Sequence, residues 1–278
     1  MPELPEVERG RRLADAVAAG RRIEAVACTD DPIVFAGAEP EQWRRALEGK
    51  RVVAARRWGK QLWLELDAPP HPLFHFGMAG GFKTPASVPL QLKSGPREDA
   101  SVWPPRFMKI RLRFDDGGEL AMTDGRRLGR LLLRENPEQE PPVSKLGFDP
   151  LLAMPSASRF SALMRARGAN LKSLLLDQSF AAGVGNWIAD EALFQAGIDP
   201  RRRASSLTDA EARRLRGKLR SIVSRAVDAN ADDSRYPRTW LFHRRWGKRD
   251  DARTARGEPI EHVTIGGRTT AWVPLRQK

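Results

Sequence analysis

The chain opens Met1-Pro2-Glu3-Leu4-Pro5-Glu6-Val7-Glu8, and the reading of this stretch governs the rest. As local structure it is a helix start. Proline is tolerated in a first turn because its missing N–H has no helical partner there, and acidic side chains favour the positive end of the helix. Val7, Ala14, Val17 and Ala18 continue as an apolar stripe, which Gly20 closes. As chemistry the stretch is more specific. With Met1 removed, Pro2 presents a secondary amine, and a free α-amine titrates near pH about 8, so a useful fraction is nucleophilic at neutral pH. Its attack on an aldehyde carbon gives an iminium that cannot discharge by losing an N–H, and that cation is an electron sink for eliminations. Glu3 can supply the acid–base function and Glu6 is close enough in sequence to tune it. A plain helix start is the commoner meaning of so short a string, so the rest of the chain has to decide.

Beyond the first helix the pattern is strand-like. Residues 23–28, 32–35, 73–76, 119–123 and 128–133 are apolar or alternating runs bounded by turn residues, and 41–47 reads as a short helix closed by Gly49. Residues 52–57 and 61–66 form a hairpin pattern about Gly59-Lys60. In 107–114, Ile110, Leu112 and Phe114 alternate with Lys109, Arg111 and Arg113, and Asp115-Asp116-Gly117-Gly118 turns the chain back. Such a half-chain is expected to fold as a β-sandwich.

Residues 136–150, rich in Pro and Glu at their start, read as a linker. Helical patterns follow at 156–167, 171–176, 187–196 and 208–227. The last carries Thr208 as N-cap, Glu211 at the capping-box position, and Leu215, Leu219, Ile222, Val223 and Ala226 on one face. Past Pro237 the chain turns to β again, with Gly266-Gly267 between 262–265 and 268–273 as a hairpin signal. The fold class is α+β, with segments at 1–135, 136–150, 151–236 and 237–278.

Of the 278 residues, 48 are Lys or Arg against 35 Asp or Glu, a net charge of +13 that favours a polyanionic partner, nucleic acid above all. Hydrophobic residues at 41% suffice for proper cores. The one cysteine, Cys28, rules out an internal disulfide and reads as a small buried hydrophobe. No signal-like run and no stretch near the ~20 apolar residues of a membrane span is present, so a reducing, intracellular compartment is expected.

Several motifs bear on chemistry. Gly183-Val184-Gly185-Asn186 joins two helical segments, and the amides of a helix N-terminus suit a phosphate. Arg56-Arg57-Trp58-Gly59-Lys60, His75-Phe76-Gly77-Met78 and Thr123-Asp124-Gly125-Arg126-Arg127-Leu128-Gly129 complete the set. Taken singly, these read as solvated arginines, a satisfied core histidine and a buried methionine. Their order and spacing, together with PELPEVE at the terminus, resemble the formamidopyrimidine-DNA glycosylase / endonuclease VIII family, and the resemblance runs over nearly the whole chain.

By that resemblance, residues 176–191 form a helix–two-turn–helix whose Asn186 contacts backbone phosphate. Lys60 and His75 bind phosphates flanking a lesion, Met78 is a wedge, and Arg126 and Leu128 fill the hole left by a flipped base. Leu128 stands where phenylalanine is usual, and Gly125 where proline is common, so the wedge lacks an aromatic stacking face. Lys172 aligns with a family lysine near the lesion base. Many members close with a four-cysteine zinc finger; this chain cannot, because Cys28 lies far from His243 and His262 and two ligands do not make a structural site. Its C-terminus instead resembles the zincless finger of a plant and fungal branch, with Arg268 after the Gly-Gly turn.

The resemblance implies a monomeric bifunctional DNA glycosylase/AP lyase acting on damaged duplex DNA, with no membrane, no cofactor and no metal. Pro2 would be the nucleophile, with Glu3, Glu6 and Lys60 in the catalytic set. In zinc-finger members a long loop covers a flipped 8-oxoguanine; the connector here, residues 228–239, is shorter and acidic in its middle. Formamidopyrimidines and further-oxidised guanines are therefore expected to leave more readily than 8-oxoguanine. Two rivals are a non-catalytic damaged-DNA-binding protein and an RNA-binding protein, the latter having no use for PELPEVE or the hairpin.

Overall fold

The first helix, α1 (Leu4–Ala18), has Glu3 at its N-cap and Pro5 in its first turn, and it buries Leu4, Val7, Gly10, Ala14 and Ala18. The computed structural model describes residues 1–86 and 102–278. These divide into two compact units, Met1–Lys145 and Leu146–Lys278.

In the first unit α1 is followed by β1 (Ile23–Cys28), α2 (Pro40–Leu47), β2 (Val52–Trp58), β3 (Gln61–Leu66), β4 (His71–His75), β5 (Gly81–Lys83), β6 (Met108–Phe114), β7 (Glu119–Thr123) and β8 (Arg130–Arg134). Two antiparallel four-stranded sheets result, in the orders β1-β6-β7-β5 and β2-β3-β4-β8. Ile110, Leu112, Leu120 and Met122 from one sheet and Val52, Leu62, Leu64, Phe74 and Leu131 from the other enter a single core, which makes this unit a sandwich. The alternation in β6 has its expected outcome: Ile110, Leu112 and Phe114 are buried while Arg113 is exposed. Cys28 packs at the rim of this core, and burial pushes its thiol up to about 12, which leaves it inert.

The second unit contains α3 (Ala157–Arg165), α4 (Leu171–Leu176), α5 (Asn186–Ala196), α6 (Asp209–Asp228) and the hairpin β9 (Glu261–Ile265) with β10 (Arg268–Trp272). α6 starts with the capping box expected of Thr208 and Glu211, and Leu215, Leu219, Ile222, Val223 and Ala226 are its buried face. The hairpin turns at Gly266 and Gly267, both at positive φ (58° and 71°), a conformation that glycine adopts without strain. Phe194, Leu241, Ile260, Ala271 and Val273 form the apolar cluster that docks it.

The structure corrects two expectations and adds one strand. Residues 32–35 are turns rather than a strand. The Asp31 carboxylate accepts from the Val34 N–H at 3.2 Å and the Asp31 carbonyl from the Phe35 N–H at 3.0 Å, so the backbone closes on itself. Strand β5 is too short to carry a periodic signal. After Pro237 the chain makes turns and a 3-10 segment at Leu241–His243 before β9 begins. No helix among the described residues is long and apolar enough to cross a membrane.

Candidate functional site

Pro2 is buried and Glu3 is only 2% exposed. The Glu6 carboxylate accepts from the Glu3 backbone N–H at 2.9 Å, within a reciprocal capping box between the two residues. Burial, then the charge of Glu3, pushes the Glu6 carboxyl up to about 7, against opposing backbone hydrogen bonds from Glu3 and Glu6. The terminus thus carries one carboxyl at the N-cap and, on the first turn, a second able to exchange a proton near neutral pH. The helix sits tight on the sheet below: a Cβ at Gly10 would lie 2.8 Å from the Phe76 ring.

The β2–β3 turn is tied to that helix. Arg57, whose side chain is fully buried, donates to Glu8 at 3.0 Å and to the Gly59 carbonyl at 3.0 Å. Glu8 also accepts from Arg11 at 3.0 Å. Lys60 follows Gly59, and the Gln61–His75 and His75–Arg130 register pairs set three polar side chains along one end of the sheet. Burial, then the cations Lys60 and Arg130, pushes His75 down to about 4, so its ring is neutral at physiological pH. Nδ1 of His75 accepts from the Gly77 N–H at 3.3 Å, which leaves the proton on Nε2 as a neutral donor.

Gly77 makes the next link. A Cβ there would meet the Gly129 nitrogen and the Leu128 backbone at 2.5 Å, so the turn carrying Met78 lies directly on the loop carrying Arg126 and Leu128. The buried Asp124 shapes that loop by accepting from the Arg126 N–H at 3.0 Å and the Gly129 N–H at 2.6 Å. Arg127 turns aside to Asp31 at 3.0 Å, leaving Arg126 exposed and Leu128 45% exposed.

In the second unit Gln178 organises the two turns between α4 and α5. Its amide donates to the carbonyls of Leu176 at 2.8 Å and Val184 at 2.9 Å, and it accepts from the Gly183 N–H at 3.1 Å. Asn186 then opens α5, and its side-chain amide donates to the Thr269 carbonyl at 2.8 Å, tying the helix start to the strand that begins with Arg268. At the hairpin tip a Cβ on Gly266 would fall 2.5 Å from the Ser173 hydroxyl of α4, so the tip rests on that helix.

Lys172 lies in the interior of the second unit. It is fully buried, its ammonium donating to the Asp190 carboxylate and, at 2.8 Å, to the Asn186 carbonyl. An ammonium removed from water needs such a paired anion. Asp190 also accepts from Arg245 and, at 3.1 Å, from the Ala271 N–H, joining α4, α5 and the hairpin. Sequence reasoning missed Arg57, Asp124 and Asp190; an acid such as Asp190 on the apolar face of a helix was the available signal.

The architecture defines an α+β protein in which a helix-start carboxyl pair stands on one unit and, on the other, two helices joined by a double turn with a hairpin packed against them. The family model for the formamidopyrimidine-DNA glycosylase N-terminal domain matches residues 1–131. The model for the H2TH domain of the same enzymes matches residues 146–237. The chain is 41% identical over its full length to formamidopyrimidine-DNA glycosylase of Arabidopsis thaliana, covering 71% of that protein. It is 33% identical, again over its full length, to the Thermus thermophilus enzyme, covering 98% of it. Among solved structures, a variant of the Lactococcus lactis protein in complex with DNA containing Fapy-dG superposes with a TM-score of 0.80 at 25% identity over 100% of both chains. The same organism's protein non-covalently bound to AP-site DNA gives 0.78 at 25% identity over 99% of both. The chain belongs to the formamidopyrimidine-DNA glycosylase family.

Proposed function

We propose that the protein is a bifunctional DNA glycosylase and AP lyase of base excision repair, acting as a monomer on oxidised purines in duplex DNA inside the cell. The observation that carries this is the terminus: Pro2, Glu3 and Glu6 gathered at the start of α1, the Glu6 carboxylate on the Glu3 amide. With Met1 attached the Pro2 nitrogen is an amide, so the reaction requires its removal.

The damaged nucleotide is flipped out of the stack at a cost of a few kcal/mol. Met78, Arg126 and Leu128 enter the space it leaves, and Lys60, His75, Asn186 and Arg268 hold backbone phosphates. The Pro2 nitrogen attacks C1′, the glycosidic bond breaks, and the departing base takes up the proton that the nitrogen sheds. Glu3 protonates O4′ as the sugar ring opens, and the nitrogen lone pair completes the iminium. Loss of a C2′ proton then expels the 3′ phosphate, and a second elimination expels the 5′ phosphate. Glu6, able to trade a proton near neutral pH, sets the charge beside Glu3 during these transfers. Lys60 serves the catalytic set by neutralising phosphate next to the reacting sugar.

Borohydride trapping on abasic DNA tests the reading. The enzyme gives a covalent protein–DNA adduct; tight binding with no adduct would make it a non-catalytic damage-binding protein instead.

A further inference from the structure

The second unit holds a cavity of about 290 Å³ that the proposed chemistry does not use. Lys218, Arg225, Arg256 and Arg276 line it, and Phe194 and Trp240 form its apolar wall. Lys218 and Arg225 lie seven positions apart on α6, two turns along one face, at about 10 Å by helical rise. Phe194 and Gln195 place the cavity at the C-terminal end of α5, about 12 Å along the helix from Asn186 at its start.

The charge here is concentrated and largely uncompensated. Among the described residues, Lys218, Arg225 and Arg256 have no carboxylate within ion-pair distance, whereas Arg44, Arg57, Arg165 and Arg202 each have one. Arg276 alone has one, Glu258 at 3.7 Å, and that carboxylate is also engaged by the Thr254 hydroxyl at 2.7 Å. Arg276 lies over the Phe194 ring at 4.9 Å, which holds its guanidinium against the wall. Three like charges around one concavity repel one another, and an anion that bridges them relieves the repulsion. Guanidinium forks beside an ammonium match phosphate oxygens in geometry.

From this we infer that the cavity is a phosphate-binding site separate from Asn186 and Arg268, filled by a backbone phosphate of a nucleic-acid strand or by a free oligophosphate. The nucleic-acid source rests on the function proposed above; the anion chemistry does not.

The test uses the full chain and the variant K218Q/R225Q/R256Q, whose substitutions are all at exposed or half-buried positions, with an unchanged melting temperature as the folding control. Tripolyphosphate binding is followed by calorimetry, and binding of an undamaged oligonucleotide by its salt dependence. Occupation by a strand predicts that the slope of log K against log salt falls by about two units in the variant, as for two lost phosphate contacts. Occupation by free oligophosphate predicts tripolyphosphate binding that weakens at least tenfold in the variant with the slope unchanged. Unchanged slope together with tripolyphosphate binding that is absent or equal in both proteins overturns the inference. The borohydride adduct of the wild-type chain is scored in the same preparation. Its absence would sink the repair reading whatever the cavity binds, and its presence leaves the cavity result to stand alone.

Discussion

Arg57 reaches Glu8 at 3.0 Å from inside the sandwich, and the same guanidinium donates to the carbonyl of Gly59, the residue before Lys60. The helix that starts at the proposed nucleophile and the turn that carries Lys60 are therefore one piece.

Replacing Arg57 by Ala strands the Glu8 carboxylate in the protein. Because Glu8 keeps Arg11, the loss should fall at the low end of the about 3–5 kcal/mol typical of a broken buried pair. Denaturant unfolding of the single and double variants measures it. Adding Glu8→Ala should restore part of the loss; a double variant as damaged as the sum of the singles would show the two side chains to be uncoupled.

The Glu6 carboxyl gives a pH signature. Its folded value, about 7, lies above the ordinary 4.5, so the folded chain holds an extra proton between them. Stability from that proton is complete below the unfolded value and is lost as pH rises through the folded one. Glu6→Gln keeps an acceptor for the Glu3 N–H but does not titrate. Between about pH 5 and about pH 8 the wild type should lose melting temperature relative to this variant; parallel curves would mean that Glu6 titrates as an exposed acid.

Much of this was readable from residue order. Alternation in β6, the Gly59-Lys60 and Gly266-Gly267 turns and the Thr208–Glu211 box are local signals, and they produced local structure. What was not legible depends largely on partners distant in sequence. Nothing local marks Lys172 as buried; Asp190 on the next helix pairs with it, and Arg245 shares that carboxylate. Residues 32–35 are apolar enough for a strand, yet Asp31 folds them into a turn while also holding Lys109 and Arg127. The shaping of the Arg126–Leu128 loop by Asp124 likewise has no signature beyond an aspartate before a glycine.

Arg268 follows the hairpin turn and is half-buried at the start of β10. Arg268→Ala should weaken binding to all DNA sequences alike and lower the salt slope by about one unit, as expected for a single phosphate contact. A sequence-dependent loss with an unchanged slope would remove Arg268 from the backbone.

The proposed lesion preference is argued from the connector after α6. Ala229, Ala231, Tyr236 and Trp240 are buried, with the Tyr236 ring 5.8 Å from Trp187, so this short segment is spent on covering α5. Few of its amides are left to read a flipped base, and discrimination should follow ease of unstacking. Single-turnover rates on matched duplexes should be higher for formamidopyrimidine than for 8-oxoguanine, with abasic sites cleaved efficiently. Equal rates for the two bases would refute the argument.

The proposed reaction depends on which nitrogen attacks the sugar. Peptide mass spectrometry of the borohydride-trapped complex locates that bond. The deoxyribose remnant should sit on the N-terminal peptide at Pro2, with Met1 absent and no adduct formed by the Pro2→Gly variant. A remnant on Lys60 or Lys172, or an adduct that survives an intact Met1, would contradict it.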